Sequence, residues 1–453
     1  MGFRSLVKKI IPQNVFRSVE PYGHWAEATL ANLRNGLPAR HLNVIGVTGT
    51  DGKTSTSTLI TSMLREAGFK VAMMTTISID YGDGIAVPNP SRLTTLGPMR
   101  LFREIKKIRQ QGTDWLVLET TSHALAQHRV SGVPFKIAVM TNIGHEHLDY
   151  HGTFERYRDA KKQLFILTAK NKAGLRTGII NAEDPSAELF AAAVPKPVTY
   201  GVEKGDVRAI DITADAQGSA FTVAYKDRTF PVKVQVPGRF NIYNSLAAVG
   251  VGISIGLTDE QIANGIGALQ SVEGRMTSVD EGQDFAIIVD YAHTPDSFKK
   301  IFTEVRGLGT GRMIAVFGSA GRRDEAKRAQ QGKVAGEMCD IVIVTEEDDR
   351  DIDGQEIMEQ IAEGAAAAGK VKDTNLFLIH DRPDAIQKAI DMAQAGDIVL
   401  LLGKGHEKSI LRNGPQAAEM RSQLQDDSDT RRVIKVDYDE VMAAKAALAH
   451  RQK

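Results

Sequence analysis

Residues 43 to 68 read "NVIGVTGTDGKTSTSTLITSMLREAG": an apolar run, a turn with three glycines, and then a stretch of helical period. No other segment restricts the fold as strongly. A short apolar strand that delivers a glycine-rich turn to the start of a helix is the unit from which phosphate-binding α/β domains are built. Leu59, Ile60, Met63, Leu64 and Ala67 fall on one helical face, and Gly68 follows as a stop signal. The glycines Gly46, Gly49 and Gly52 let backbone N–H groups and the helix N-terminus point at phosphate oxygens. Lys53 then reaches the outer phosphates, the Thr54 hydroxyl sits on Mg²⁺, and Thr50 and Ser55 complete the nucleotide loop. Position 47 is valine, so the spacing departs from the strict G-x-x-x-x-G-K-[ST]. The acid Asp51 stands where phosphates are expected. It is read as contributing its backbone N–H with the carboxylate turned away.

Further apolar runs follow at strand length, among them "WLVLE" (115 to 119), "KIAVM" (136 to 140), "FAIIVD" (285 to 290), "MIAVFG" (313 to 318), "DIVIVT" (340 to 345), "LFLI" (376 to 379) and "DIVLLLG" (397 to 403). Near-continuous apolar strands separated by helical stretches suit a parallel sheet covered on both faces. The pattern lapses between about 200 and 236, which reads as short alternating strands at an antiparallel hairpin edge. The expected fold is α/β: a P-loop central domain at 43–272 with a mainly parallel sheet, then a Rossmann-like C-terminal α/β domain at 273–453. The two join around "SVEGRM" (271 to 276), behind a short segment 1–42. Beyond 414 only a stretch near 439 to 449 has helical period.

Composition narrows the function classes. The 453 residues carry 56 basic and 56 acidic side chains, which removes the electrostatic footprint of a nucleic-acid binder. The one cysteine, Cys339, excludes an intramolecular disulfide or multi-cysteine metal site and suits a reducing, cytoplasmic setting. "FRSLVKKII" (3 to 11) is a short basic amphipathic stripe ended by Pro12. No run reaches the roughly 18 apolar residues of a spanning helix, so membrane contact is not expected.

The spacing G-T-x-G-K-T resembles that of the Mur ligase superfamily, ATP-dependent amide-forming enzymes of peptidoglycan synthesis, and of their folate-glutamylating relatives. The likeness continues through "ETTSHALAQHRV" (119 to 130), "TNIGHEHLDYHGTFERYRDAKKQLF" (141 to 165), "GRFNIYNSLAA" (238 to 248), "GRM" (274 to 276), "DYAHTPDS" (290 to 297), "FGSAGRRDEAKR" (317 to 328) and "LLGKGHE" (401 to 407). These look like the ordered motifs of the MurE branch, which adds the third residue of the stem peptide. The match covers roughly residues 43 to 410.

Glu119 ends a buried strand beside the P-loop strand, a place for a carboxylate that holds Mg²⁺; a helix-capping acid is the lesser alternative. In "GHEHLD", His145, Glu146, His147 and His151 compete; the resemblance selects His147 as ligand of a second Mg²⁺. Lys161 reads by itself as an ordinary surface lysine. The resemblance instead implies that it carries CO₂ as a carbamate and ligates Mg²⁺, with "DAK" favouring Lys161 over Lys162. It also implies that Asn241 and Asn244 approach adenine, and that Arg275 at the interdomain hinge and Asp290 reach the γ-phosphate and ribose. Capping asparagines or a hinge salt bridge are the alternatives. Thr94, Thr95, Ser122, Gln127 and Arg129 correspond to residues contacting the muramoyl dipeptide, and His123 lies near them.

The implied reaction transfers a phosphoryl group from ATP to a carboxylate, and the amino group of an amino acid then displaces phosphate, in a monomeric enzyme with two small-molecule substrates. Two departures stand out. The P-loop begins at 46, which leaves no room ahead of it for the uridine-diphosphate-binding domain of the branch, so recognition of that group is in question. Diaminopimelate-selecting enzymes carry D-N-P-R where this chain has "TEEDDRDID" (345 to 353), so Arg350 keeps the arginine's place while Asp348 and Asp349 replace Asn and Pro. The added negative charge favours lysine or ornithine, unless the loop is simply solvated. Gly403 and Glu407 resemble residues that bind the added amino acid. A folylpolyglutamate-synthase-like acceptor is a second reading. An ATP-binding partner subunit is a third, which the retained Lys53, Glu119, His147 and Lys161 argue against.

Overall fold

The computed structural model describes residues 13–451 apart from 90, 92, 216, 323–324 and 414–432, so the basic stripe at 3 to 11 lies outside the described residues. The chain divides into two compact units. One runs to Thr213 and takes in Ala220–Val234 and Phe240–Gln270; the other comprises Ala214–Ser219, Gln235–Arg239 and everything from Ser271.

In the first unit the opening apolar run forms β1 (Asn43–Thr48), buried at five of six positions. It is joined by β2 (Val71–Met74), β3 (Ser78–Asp80), β4 (Ala86–Pro88), β5 (Trp115–Glu119) and β6 (Phe135–Met140). Then come β7 (Thr177–Asn181), β8 (Lys196–Gly201), β9 (Val207–Asp215), β10 (Gly218–Tyr225) and β11 (Arg228–Val234). One sheet results, in the order β11-β10-β9-β8-β7-β6-β1-β5-β2-β3-β4. β1 lies between β5 and β6, parallel to both, with Val47 opposite Glu119 and Thr48 opposite Met140. Three parallel strands therefore end side by side, where open α/β sheets present their ligands. Fully buried Val44, Leu116, Ala138, Leu164 and Phe165 help form the apolar layer beneath those ends. Burying each large side chain contributes about 1.5–3 kcal/mol.

The hairpin region at 200 to 236 becomes the far edge of this sheet. Its strands are longer than expected, at 9, 8 and 7 residues, and the two-residue turn at 226–227 leaves only an antiparallel return. Ahead of β1 stands a helix that the sequence reading did not contain, Gln13–Arg34, with Pro21 and Gly23 inside it.

In the second unit β12 (Thr277–Ser278), β13 (Ala286–Asp290), β14 (Met313–Phe317), β15 (Ile341–Val344), β16 (Leu376–Leu378) and β17 (Ile398–Leu402) form a sheet in the order β12-β13-β17-β14-β15-β16. All neighbours are parallel except the short β12. A separate ladder pairs β18 (Ser409–Asn413) with β19 (Val433–Asp437), and the helix Glu440–Arg451 closes the chain. Asp290, Gly318, Thr345 and Gly403 immediately end or follow four neighbouring parallel strands, so their loops share one edge of the sheet. No described helix is long and apolar enough to cross a membrane.

Candidate active site

After Thr48 the chain turns through Gly49, and the helix Lys53–Glu66 starts from Gly52 as its N-cap, at φ 78°. A Cβ on Gly49 would overlap the Thr141 hydroxyl, so this close approach requires glycine. The loop after β6 grips the turn. Thr50 N–H donates to Asn142 O at 2.8 Å, Asp51 N–H to Asn142 Oδ1 at 2.9 Å, and Gly144 N–H to Thr50 Oγ1 at 2.7 Å. The Asp51 amide, expected to face phosphate, is thus directed at Asn142. Lys53 Nζ donates to the carbonyls of Gly49 and Thr50 at 3.1 and 2.7 Å. Thr54 Oγ1 donates to Glu119 Oε2 at 3.0 Å, and Ser55 is buried in the first helical turn.

Glu119, 1% exposed, also accepts from the Thr76 N–H and hydroxyl, each at 3.0 Å. It is not a helix cap, because the next helix, Ser122–Ala126, is capped by Thr121. Lys161 departs most from the residue-level reading. Its helix, Phe154–Lys170, buries Tyr157, Ala160, Lys161, Leu164, Phe165 and Thr168, the 3- and 4-residue spacing of one face. Lys161 is 2% exposed, donates to the Gly49 carbonyl and lies 4.5 Å from the Tyr157 ring centre. Burial, with the Lys53 charge second, holds its pKa well below that of an ordinary lysine. Lys162 instead faces Asp159 at 3.6 Å. Tyr157 OH meets Thr50 Oγ1 at 2.9 Å, which ties the Lys161 helix to the loop.

His147 sits half-exposed at φ 54° in front of the turn Leu148–His151, with Nε2 3.7 Å from Glu146 and its ring 4.7 Å from His123. Among its rivals, His145 stacks on Phe154 and His151 shares a hydrogen bond with Ser122 Oγ at 3.1 Å. Of the residues expected at the acceptor, Thr94, Thr95, Gln127 and Arg129 form one network beside Glu119. Thr94 Oγ1 accepts from Thr76, Thr95 Oγ1 donates to the Glu119 carbonyl, and Arg129 spans Thr95 O and Gln127 Oε1. Gln127 in turn donates to Tyr150 at 3.1 Å. A cavity of about 480 Å³ adjoins the network, lined by His128, Tyr150, His151, Arg156 and Gln163 among others. A larger one, about 760 Å³, lies between β9–β11 and the helix Asp259–Gly267, and none of the expected residues lines it. Asn241 and Asn244 are buried on the helix Phe240–Ile255 and bonded to each other. Asn244 Oδ1 accepts from Thr56 at 3.1 Å, and a Cβ on Gly52 would fall 2.5 Å from the same oxygen, so the pair lies against the P-loop.

In the second unit Asp290 is buried and accepts from Met276 and Ala292 N–H at 2.8 Å. Burial raises its pKa despite the Arg275 charge nearby. Arg275 lies 5.3 Å from the Tyr291 ring centre. Asp348 and Glu407 converge on Lys404, 1% exposed, whose Nζ is 3.0 and 2.7 Å from them. The acidic loop is therefore not solvated, and its added charge is met from within the chain: Asp349 by His380, Asp351 by Arg322 and Glu346 by Arg412. Glu346, Asp349 and His380 bring one ligand atom each within 4.8 Å of the others, but the Glu346 carboxylate is already taken by Arg412. Arg350, at φ 58°, keeps a buried Nε without a partner among the described residues.

The Mur ligase middle domain matches residues 47–252, and the Mur ligase glutamate ligase domain matches 274–405. A UDP-N-acetylmuramyl-tripeptide synthetase from Roseiflexus is 42% identical over 404 residues, 86% of this chain and 79% of that protein. The chain belongs to the Mur ligase family. The solved UDP-N-acetylmuramoyl-L-alanyl-D-glutamate–2,6-diaminopimelate ligase superposes with TM-score 0.66 at 28% identity, over 96% of this chain and 83% of that one. Mycobacterium tuberculosis folylpolyglutamate synthase shares the fold, with TM-score 0.67 at 14% identity over 89% and 95%. Several residues around this Mur ligase's site escaped the sequence reading. Thr76 carries no signal beyond being a polar loop residue, while Asn142 lies within the quoted motif at 141 to 165. Lys404, in "GKGHE", and Tyr157, on the buried stripe of the Lys161 helix, were findable by asking which neighbours the motifs themselves contain.

Proposed function

We propose that this Mur ligase joins an amino acid to the terminal carboxylate of a muramoyl dipeptide at the cost of one ATP, the tripeptide-forming step of a peptidoglycan precursor. The observation that carries the reading is the meeting of Lys53, Thr54, Glu119 and Lys161 at one glycine turn, in a family of ligases whose relative is a tripeptide synthetase. The residues fit a nucleotide and its magnesium: a P-loop at a helix N-terminus, a buried carboxylate beside a threonine hydroxyl, and Asn241 and Asn244 against the loop. ATP supplies the phosphoryl group that turns the acceptor carboxylate into an acyl phosphate, and magnesium offsets its charge. Lys53 holds the outer phosphates, Thr54 and Glu119 hold one ion, and His147 with a carbamylated Lys161 holds a second. Burial, which disfavours the charged form of Lys161, favours the free lone pair that CO₂ addition needs. Arg275 and Asp290 serve the γ-phosphate and ribose.

Thr94, Thr95, Ser122, Gln127 and Arg129 take the acceptor, and Arg350, Gly403 and Glu407 take the amino acid. With Asp348 and Glu407 both paired to Lys404, the charge argument for lysine or ornithine loses its footing. The amino acid is best named by direct competition. Purified protein with ATP, Mg²⁺, UDP-N-acetylmuramoyl-L-alanyl-D-glutamate and lysine, ornithine or meso-diaminopimelate is expected to release phosphate and yield a tripeptide of matching mass. Phosphate release with a folate acceptor and none with the muramoyl peptide would move the protein to another acceptor class.

A further inference from the structure

Glu347 stands ahead of Asp348 where the compared motif has its first acid, and none of the proposed roles above uses it. It follows β15, is buried, and leaves Oε2 without a hydrogen-bond partner among the described residues. Each cation near it is engaged elsewhere: Lys404 with Asp348 and Glu407, Arg382 with Glu440, and Lys327 with the His293 carbonyl. Asp348 is the acid beside it, and its neighbour Tyr291 feels its charge. Across from Oε2 lies Gly403, at φ 101°, where a Cβ would stand 3.2 Å from that oxygen. The absent side chain keeps the approach to Oε2 clear. Among the described residues three buried atoms of this loop lack a hydrogen-bond partner: Glu347 Oε2, Asp349 Oδ1 and Arg350 Nε. The two carboxylate oxygens accept and the guanidinium nitrogen donates, the pattern that the ammonium and carboxylate of an amino acid complement.

We infer that the Glu347 carboxylate is the base that deprotonates the incoming amino acid, an assignment that rests on the ligase reading above. The ammonium R–NH₃⁺ gives one proton to Glu347, leaving R–NH₂ with its lone pair and Glu347 as the neutral acid. The amine nitrogen bonds to the acyl carbon, the carbon–oxygen bond to phosphate breaks, and the departing phosphate takes the second nitrogen proton. Burial, only partly opposed by Lys327 and Lys404, lifts the Glu347 pKa to about 7, so the group exchanges protons near neutrality.

The test compares Glu347→Gln with wild type in full reactions using either the amino acid or hydroxylamine, a nucleophile already unprotonated at neutral pH. Expected for the variant are a loss of amide formation of about a hundredfold or more at pH 7, unchanged KM for ATP and acceptor, and hydroxamate formation close to wild type. The amide deficit should shrink as pH rises and the free amine appears in solution. Glu347→Asp, which keeps the base, should retain more amide formation than Gln. Equal amide rates in Glu347→Gln, a parallel loss of hydroxamate, or a deficit indifferent to pH would overturn the assignment. Absence of hydroxamate from the wild type would instead overturn the acceptor reading.

Discussion

Lys161 shows what a single side chain costs and gives. A lysine whose charge is disfavoured by burial destabilises the fold, yet this one is held against the P-loop carbonyl of Gly49. Lys161→Ala is expected to abolish turnover while ATP binding, followed by calorimetry, stays largely intact, and short carboxylic acids should partly restore the rate. Wild-type turnover in that variant without added acid would dismiss the carbamate. Glu347 carries a similar burden. Lifting its carboxyl from 4.5 to about 7 means the native state holds the proton that the unfolded chain releases, so stability falls as pH rises through that window. Above pH 7 the full penalty is about 3 kcal/mol. Urea midpoints at pH 5 and pH 8 should therefore show Glu347→Gln gaining on wild type only at the higher pH; a gain equal at both would mean that ionisation is not the cause.

Among elements, the closing helix Glu440–Arg451 is fastened to the second unit by a fully buried pair, Arg382 with Glu440. Arg382 also donates to the carbonyls of Glu346 and Leu402, at the ends that lead into the acidic loop and Gly403. Glu440→Ala strands a buried guanidinium, so a loss of about 3–5 kcal/mol is expected; a denaturant midpoint within error of wild type would contradict it. The elements also show where sequence patterns carry. The run Trp115–Glu119 forms a strand with the expected limits, because a strand buried on both faces must be apolar throughout. The helix Gln13–Arg34 was hidden by Pro21 and Gly23, residues that lower helix propensity locally and are overruled here by packing on the helix Pro98–Gln110. The short strands β3 and β4, with three residues each, offer too few positions for any period.

At the scale of the whole molecule, the proposed reaction releases phosphate only when an amine displaces it from the acyl phosphate of the acceptor. Phosphate release should therefore depend on both substrates and match the amide formed one to one; steady release without the acceptor would indicate uncoupled hydrolysis. Sequence alone determined the α/β class, the P-loop, the family and most residues proposed for the site, because glycine spacing, apolar runs and motif order are local properties of the chain. Only the family motif favoured Lys161 over Lys162, since as residues the two differ only in the face of the helix that packs on the P-loop. Nor did the sequence show that Glu346, Asp348, Asp349 and Asp351 of "TEEDDRDID" are met by Arg412, Lys404, His380 and Arg322, from segments up to 66 residues away. Burial and charge pairing are set by what folding brings alongside a residue, and only the tertiary structure decides that.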